Sequence, residues 1–400
     1  MKAVILAAGE GNRMHPLTYT RPKVMLPIAN RPIMEHLLIE MKKAGITSFT
    51  FIVGYHGETI RQYFRDGKKW GVEIDYVTQR KQRGTAHALK LVEGFVDGMF
   101  LLANGDVLIR ADDIARILEK DGITLSLIEM EDTSGLGVIE IDRDRIVKIH
   151  EKVANPPSKL VNAGVYLITQ EVFSAIARTK ESIRREFELT DSLQIVLDEG
   201  YVISWVEIDR WLDVSYPWNL LMANEALMSG IQPQCLGHVE ENVIIQGAVS
   251  IGEGTVVRAN SYISGPVVIG ENCEIGPNCY IRPSTAIGNS CHVGSAVEIK
   301  NSIIMDNTKI PHHNYIGDSV IGEGCNFGAG TKIANLRFDK KDITVDGIGT
   351  GRRKLGAIVG DDVQTGINSN IDVGSLIGPH TCIGPGALAS GVVLPNSRIF

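Results

Sequence analysis

From residue 245 to residue 299 an isoleucine or valine stands at every sixth position: Ile245, Ile251, Val257, Ile263, Ile269, Ile275, Ile281, Ile287, Val293 and Ile299. Neither regular element explains that spacing, because a helix repeats every 3.6 residues and a strand every 2. Six residues make one short strand and one corner, and three such units close one coil of a prism. Small residues stand two positions earlier (Cys273, Cys279, Thr285, Cys291), and glycine often follows (Gly252, Gly270, Gly276, Gly288). The aliphatic side chain is expected to point into the prism with the small one beside it, so the cysteines read as small core residues. The step shortens to five between Ile299 and Ile304 and again between Ile316 and Ile321, then Phe327 and Ile333 resume it. It breaks over residues 336–355 and returns at Val359, Thr365, Ile371, Ile377, Ile383 and Ala389. The broken segment is polar, glycine-containing and rich in Lys and Arg, and should loop out from one face. A left-handed parallel β-helix is therefore expected over 241–400.

The first half has a different rhythm. Short apolar runs at 3–8, 49–53, 72–77 and 99–103 alternate with helical spacing at 33–43, 58–64 and 85–92. Such alternation predicts an α/β, Rossmann-like domain with a parallel sheet. The expected organisation is a domain over 1–228, a linker over 229–240 and the β-helix over 241–400. Four hundred residues exceed one ordinary core. The net charge of −7 argues against general nucleic-acid binding and favours a small charged substrate gripped by local cations. All six cysteines lie beyond residue 234 without a CxxC pair, and no stretch approaches a membrane span. A cytoplasmic chain with reduced thiols is expected.

The stretch LAAGEGNRMHPLTYTRPK at residues 6–23 follows the first apolar run. Gly9 and Gly11 let backbone N–H groups approach an anion closely, and Arg13, Arg21 and Lys23 supply positive charge. Met14 stands where a dinucleotide fingerprint needs a third glycine, and no Gly-Lys-Ser/Thr follows as in a Walker loop. A phosphate-gripping loop at the carboxyl end of a strand is the better reading. Asp106 follows the run at 99–103, and Asp213 stands in Trp211-Leu212-Asp213. Beside a triphosphate loop these carboxylates are candidates to hold Mg²⁺.

The pattern LAAGxGxRM…P…RPK resembles the signature of sugar-1-phosphate nucleotidyltransferases. The resemblance implies nucleotide contacts at Leu6, Ala8, Gly9, Gly11, Gln79, Gly84, Thr85 and Asp106, with the Gln79 amide reading a pyrimidine edge. It implies sugar-phosphate contacts at Gly137, Glu151, Lys152 and Asn162, and Mg²⁺ on Asp106 and Asp213. The chemistry is attack of a sugar-1-phosphate oxygen on the α-phosphorus of a nucleoside triphosphate, expelling pyrophosphate. Arg13 would face the leaving group and Lys23 the phosphate reaching the α-position.

In the second half, GSAVEIKNS, PHHNYIGDSVIG and CNFGAGT resemble the acetyltransferase domain of the bifunctional N-acetylglucosamine-1-phosphate uridyltransferases, in an archaeal-type version. The resemblance implies acetyl-CoA as co-substrate, His312 as base, and Arg282, Lys300, Tyr315 and Asn326 around the acceptor. It places Ala329, Asn335 and Lys354 near acetyl-CoA or across a homotrimer interface. The expected reactions are N-acetylation of glucosamine-1-phosphate or galactosamine-1-phosphate, then transfer of UMP or dTMP. RMHPLTYTRPK is closer to glucose-1-phosphate thymidylyltransferases, so both the base and the sugar stay open. Leu336 replaces the usual Tyr after Asn335, and no long C-terminal arm follows, so Arg352 and Arg353 are expected to meet the coenzyme's phosphates. His292, His312 and His313 lack the spacing of a three-histidine zinc site. The alternative is a monofunctional thymidylyl- or uridylyltransferase whose β-helix is a structural or regulatory module.

Overall fold

A computed structural model describes residues 1–400 except 134, 144, 152–155 and 213. The chain divides into two compact units: residues 1–10 with 33–213, and residues 11–32 with 214–400. The loop after the first strand thus crosses from one unit into the other.

In the first unit, strands β1 (Lys2–Ala7), β2 (Ser48–Val53), β3 (Glu73–Thr78) and β4 (Phe100–Asn104) form a parallel array in the order β4-β1-β2-β3. Helices α1 (Ile33–Lys43), α2 (Gly57–Phe64) and α3 (Thr85–Lys90) lie between them in sequence, and α4 (Ala111–Leu118) follows β4. The sheet is mixed rather than wholly parallel. After β5 (Thr124–Glu129), the strands β6 (Gly137–Asp142), β7 (Arg145–Glu151) and β8 (Leu160–Ile168) succeed one another with no helix among the described residues between them. A hairpin joins β6 to β7, and β8 returns antiparallel to both β4 and β5. An antiparallel return needs no crossover, whereas a parallel one in such a sheet usually takes a helix. Helices α5 (Glu171–Ile176) and α6 (Leu189–Asp198) precede β9 (Ser204–Glu207), which pairs in parallel with β5. Continuous apolar strands bury this sheet: Val4, Ile52, Phe100, Leu102 and Leu125 are all fully inaccessible.

In the second unit, α7 (Asn219–Met228) leads into a prism of three parallel sheets. Ile251, Ile269, Ile287, Ile304, Ile321, Val359, Ile377 and Val393 stack in one ladder, one residue from each coil after the first, where Cys235 pairs with Ile251. The hexad residues form the core, together with Cys273, Cys279, Cys291 and Cys325. Ile245 is the exception, 41% exposed on the first coil, where no complete coil precedes it. Corners demand positive φ, and short polar residues such as Asn260, Asn272, Asn278 and Asn307 supply it.

The two five-residue steps fall on successive coils at the same corner. Ile299 pairs with Ile316 and Ile304 with Ile321, so both coils lose their residue together and the ladder stays in register. On the next coil the chain leaves this corner after Ile333, makes the hairpin Thr344–Val345 with Ile348–Gly349, and rejoins at Ala357.

Candidate active sites

The carboxyl ends of β4, β1, β2 and β3 lie along one edge of the first unit's sheet. Leu6 pairs with Asn104, and the Gly105 N–H donates to the Leu6 carbonyl (2.9 Å). The turn bearing Asp106 therefore leaves β4 beside the end of β1, where Ala8 and Gly9 follow. The Ala8 carbonyl accepts the Tyr55 N–H (3.1 Å), and Gln79 N–H donates to Val53 O (2.8 Å). Leu6, Ala8, Gly9, Gln79 and Asp106 thus share one edge. A Cβ on Gly9 would meet nothing within 4 Å, which leaves its backbone open to a ligand. The Gln79 side chain is buried, and its Nε2 donates to the Gly84 carbonyl (3.2 Å) and lies 2.9 Å from His87 Nδ1. Burial, followed by the charges of Arg83 and Lys90, lowers the His87 pKa.

Gly84 has a reason of its own. With φ +103° and a Cβ that would fall 2.4 Å from the Phe187 carbonyl oxygen, it lets the loop pass against backbone rather than against a ligand. Thr85 opens α3, and its hydroxyl accepts the Leu189 N–H (2.9 Å) at the start of α6.

Gly137, Glu151 and Asn162 come together. Gly137 pairs with Glu151, and a Cβ on it would meet Glu151 Oε2 at 3.2 Å and Asn162 Cβ at 3.9 Å. Glu151 accepts the Thr190 hydroxyl (3.1 Å) and pairs with Arg184 (3.4 Å). Asn162 donates to the Tyr166 hydroxyl (2.8 Å) and accepts the Gly164 N–H (3.1 Å). Burial and the neighbouring Glu151 raise the pKa of Asp191. Lys152 and Asp213 lie outside the described residues.

Gly11, Arg13 and Lys23 belong to the second unit. Gly11 sits at φ +69°, and a Cβ there would fall 2.9 Å from Lys23 Cβ, so glycine lets the lysine stem lie against the loop. The Thr18 hydroxyl closes the loop onto the Gly11 carbonyl (2.9 Å). Arg13 is exposed, its guanidinium 5.7 Å from the centre of the Tyr216 ring. Arg21 departs from the expectation of a third phosphate-facing cation. It is paired with Asp361 (2.6 Å) and Glu323 (3.0 Å) of the prism. Burial opposes its charge, but the two carboxylates outweigh this and raise its pKa.

On the prism, Arg282, Lys300, Tyr315 and Asn335 gather along one sheet, on consecutive coils around the tightened corner. Arg282 bonds Glu298 (2.8 Å), which raises its pKa. Lys300 pairs with Asp318 (2.9 Å), and Asn335 donates to both Asp318 Oδ2 (2.6 Å) and the Tyr315 hydroxyl (3.1 Å). Burial raises the Tyr315 pKa. His312 and Asn326 are exposed, in adjacent coils of the neighbouring sheet, and Ala329 stands in the turn that follows Asn326. Lys354 is exposed at the root of the insertion, bridged to Leu336. Arg352, expected to meet a coenzyme, is instead committed to an ion pair with Glu225 of α7 (2.7 Å), which leaves Arg353 and Lys354 as the exposed basic groups of that segment.

Asp318 is the residue that motif reading missed. It holds Lys300, Asn301 and Asn335 at once, and the paired five-residue steps that create its corner were the available signal.

The Nucleotidyl transferase family matches residues 2–230, and the GMPPB C-terminal domain family matches 263–368. A "Bifunctional protein GlmU" of Methanococcus maripaludis is 42% identical over 100% of this chain and 97% of its own. The chain belongs to the GlmU family. A "Bifunctional sugar-1-phosphate nucleotidylyltransferase/acetyltransferase" of Sulfurisphaera tokodaii is 39% identical over 98% of this chain and 97% of its own. A crystal structure of a putative glucose-1-phosphate thymidylyltransferase from Bacillus anthracis, in complex with sucrose, is 33% identical with TM-score 0.54. It covers 59% of this chain and 98% of its own. GlmU-type enzymes are bifunctional, and this chain spans both halves, a nucleotidylyltransferase and an acetyltransferase. Among the described residues no helix is long and apolar enough to cross a membrane.

Proposed function

We propose that the prism N-acetylates glucosamine-1-phosphate or galactosamine-1-phosphate with acetyl-CoA, and that the N-terminal half then couples the product to UMP or dTMP. The observation that carries this reading is the cluster of Arg282, Lys300, Tyr315 and Asn335 around the tightened corner, which a stalk has no reason to build. Arg282 and Lys300 would take the sugar phosphate. His312 would strip the proton from the sugar ammonium, so that the freed amine attacks the thioester and coenzyme A leaves. Tyr315 and Asn326 would orient the acceptor, while Ala329, Asn335 and Lys354 would line the coenzyme side.

In the nucleotidylyl reaction the backbone at Leu6, Ala8, Gly9 and Gly11 would cradle the triphosphate, with Arg13 on the departing pyrophosphate and Lys23 on the incoming phosphate. Gln79, Gly84 and Thr85 would bound the base, and Gly137, Glu151, Lys152 and Asn162 the sugar. Asp106 sits on the turn beside the end of β1, and carboxylate oxygen is the donor that Mg²⁺ prefers. Asp106 and Asp213 would hold the ion, which neutralises phosphate charge when bound. No covalent enzyme intermediate is needed, so the protein's part is positioning and charge. A domain division at 229–240, a homotrimer and a cytoplasmic location belong to the same reading, and all six cysteines are free thiols.

The test is a substrate panel of UTP and dTTP against several sugar-1-phosphates, with and without acetyl-CoA. Coenzyme A release with an amino-sugar-1-phosphate, and pyrophosphate release with its N-acetyl product, are expected. No coenzyme A release above blank with either amino sugar would overturn the acetyl-acceptor assignment.

A further inference from the structure

The loop that carries Arg13 and Lys23 is fastened to the prism. The Arg21 Nη2 donates to Asp361 Oδ2 (2.6 Å) and Glu323 Oε2 (3.0 Å), and the Thr20 hydroxyl donates to the same Asp361 oxygen (2.6 Å). Arg21 Nε finds no partner among the described residues, so the guanidinium is held through Nη2. Farther along, the Asn30 amide donates to the Ile287 carbonyl, and the Ala29 N–H donates to Asn224, whose own amide reaches the Ser284 carbonyl. Arg21 and Thr20 stand immediately before Pro22 and Lys23 in the chain, so fixing them fixes where the lysine begins.

Asp361 is itself fixed by the coil. Along this corner of the prism, three side-chain oxygens each accept a backbone N–H from the coil before. Asn289 Oδ1 accepts from Glu271, Asp306 Oδ1 from Asn289, and Asp361 Oδ1 from Glu323, each at 2.8 Å. A Cβ on Gly322 would fall 2.6 Å from Asp361 Oδ1, so the carboxylate lies flat against the preceding coil. Between Asn289 and Asp306 the second side-chain atoms turn to each other (3.4 Å). At Asp361 the second oxygen goes instead to the loop. One oxygen stitches the prism and the other holds Arg21 and Thr20.

We infer that Asp361, assisted by Glu323, is a positioning residue for nucleotidylyl transfer: a carboxylate of the acetyltransferase prism that sets the place of Lys23 and Arg13 by gripping Arg21 and Thr20. This rests on the reading that Arg13 and Lys23 face the phosphates. Asp361 stands at the turn after Ala357–Val359, a strand of a different sheet of the prism from that of Arg282, Lys300 and Tyr315, so its effect should fall on the other reaction.

Asp361→Asn separates the two roles, because it keeps Oδ1 for the Glu323 amide and removes the charge from the oxygen that Arg21 uses. In the full chain it should lower nucleotidylyl kcat about tenfold or more, since small misplacements of a phosphate-gripping group are costly. The KM for the sugar-1-phosphate should rise with it, because Lys23 meets that phosphate, while coenzyme A release by the same preparation should stay within about twofold. Arg21→Met, which leaves the prism intact, should reproduce the loss, and the double variant should lose no more than either single one. Full nucleotidylyl turnover in Asp361→Asn, measured beside a crippled Lys23→Ala, would overturn the inference. So would a parallel fall in both activities, which would make Asp361 only a stitch in the coil. Full turnover in Lys23→Ala would instead overturn the loop reading on which the inference stands, and the inference with it.

Discussion

The strand-end edge of the first unit and the tightened corner of the prism reach the same end by opposite means. At the first, regularity makes the site: four parallel strands stop together, and their last residues and following turns necessarily converge. At the second, irregularity makes it. Coils of one length would present repeating, equivalent side chains, and only where two coils shorten and a third departs do Lys300, Tyr315, Asp318 and Asn335 meet. An α/β sheet offers a site by topology, whereas a repeat must interrupt itself to have one.

The comparison can be broken by separating the two activities. The largest effect is expected from His312→Ala, which should cut coenzyme A release by about 10²–10⁴-fold while pyrophosphate release is untouched. Equal loss of both would end the division of labour. Lys23→Ala should do the converse and lower nucleotidylyl transfer by about 10²–10³-fold with acetyl transfer preserved. Unchanged turnover would remove Lys23 from the mechanism. A smaller effect sharpens the packing side. Ile316→Val, fully buried beneath Tyr315 and stacked on Ile299, should cost about 0.5–1.5 kcal/mol in denaturant melts of the prism. Smallest is Arg352→Ala, whose ion pair with part-exposed Glu225 should be worth about 1 kcal/mol or less. A large loss of coenzyme A affinity there would show that Arg352 leaves Glu225 to serve the coenzyme.

The hexad was legible because each Ile or Val answers to one constraint, filling the prism, and the constraint recurs without interference. The strand ends were legible because an apolar run followed by Gly9 or by Gly105-Asp106 marks where a buried strand meets solvent. Three things were not. The return of β8 antiparallel depends on what replaces the crossover helix, and no local pattern signals a missing helix. The reason for Gly84 is the Phe187 backbone, distant in sequence. The commitment of Arg21 to Asp361 hangs on single side chains more than three hundred residues apart, where a sequence shows only a basic residue in a basic loop.

The paired shortening of the coils at Ile299–Ile304 and Ile316–Ile321 has a consequence for how such a chain can change. The prism works like a screw thread whose pitch is set by its strands and not by the corners between them. A six-residue step (Ile281–Ile287) stacks on a five-residue one, and the coil above makes a long excursion at the same corner and still meets Ile321 with Val359. Length at that corner is thus the one dimension the thread leaves free, and the pocket cut there can be re-cut without shifting the grooves above or below it.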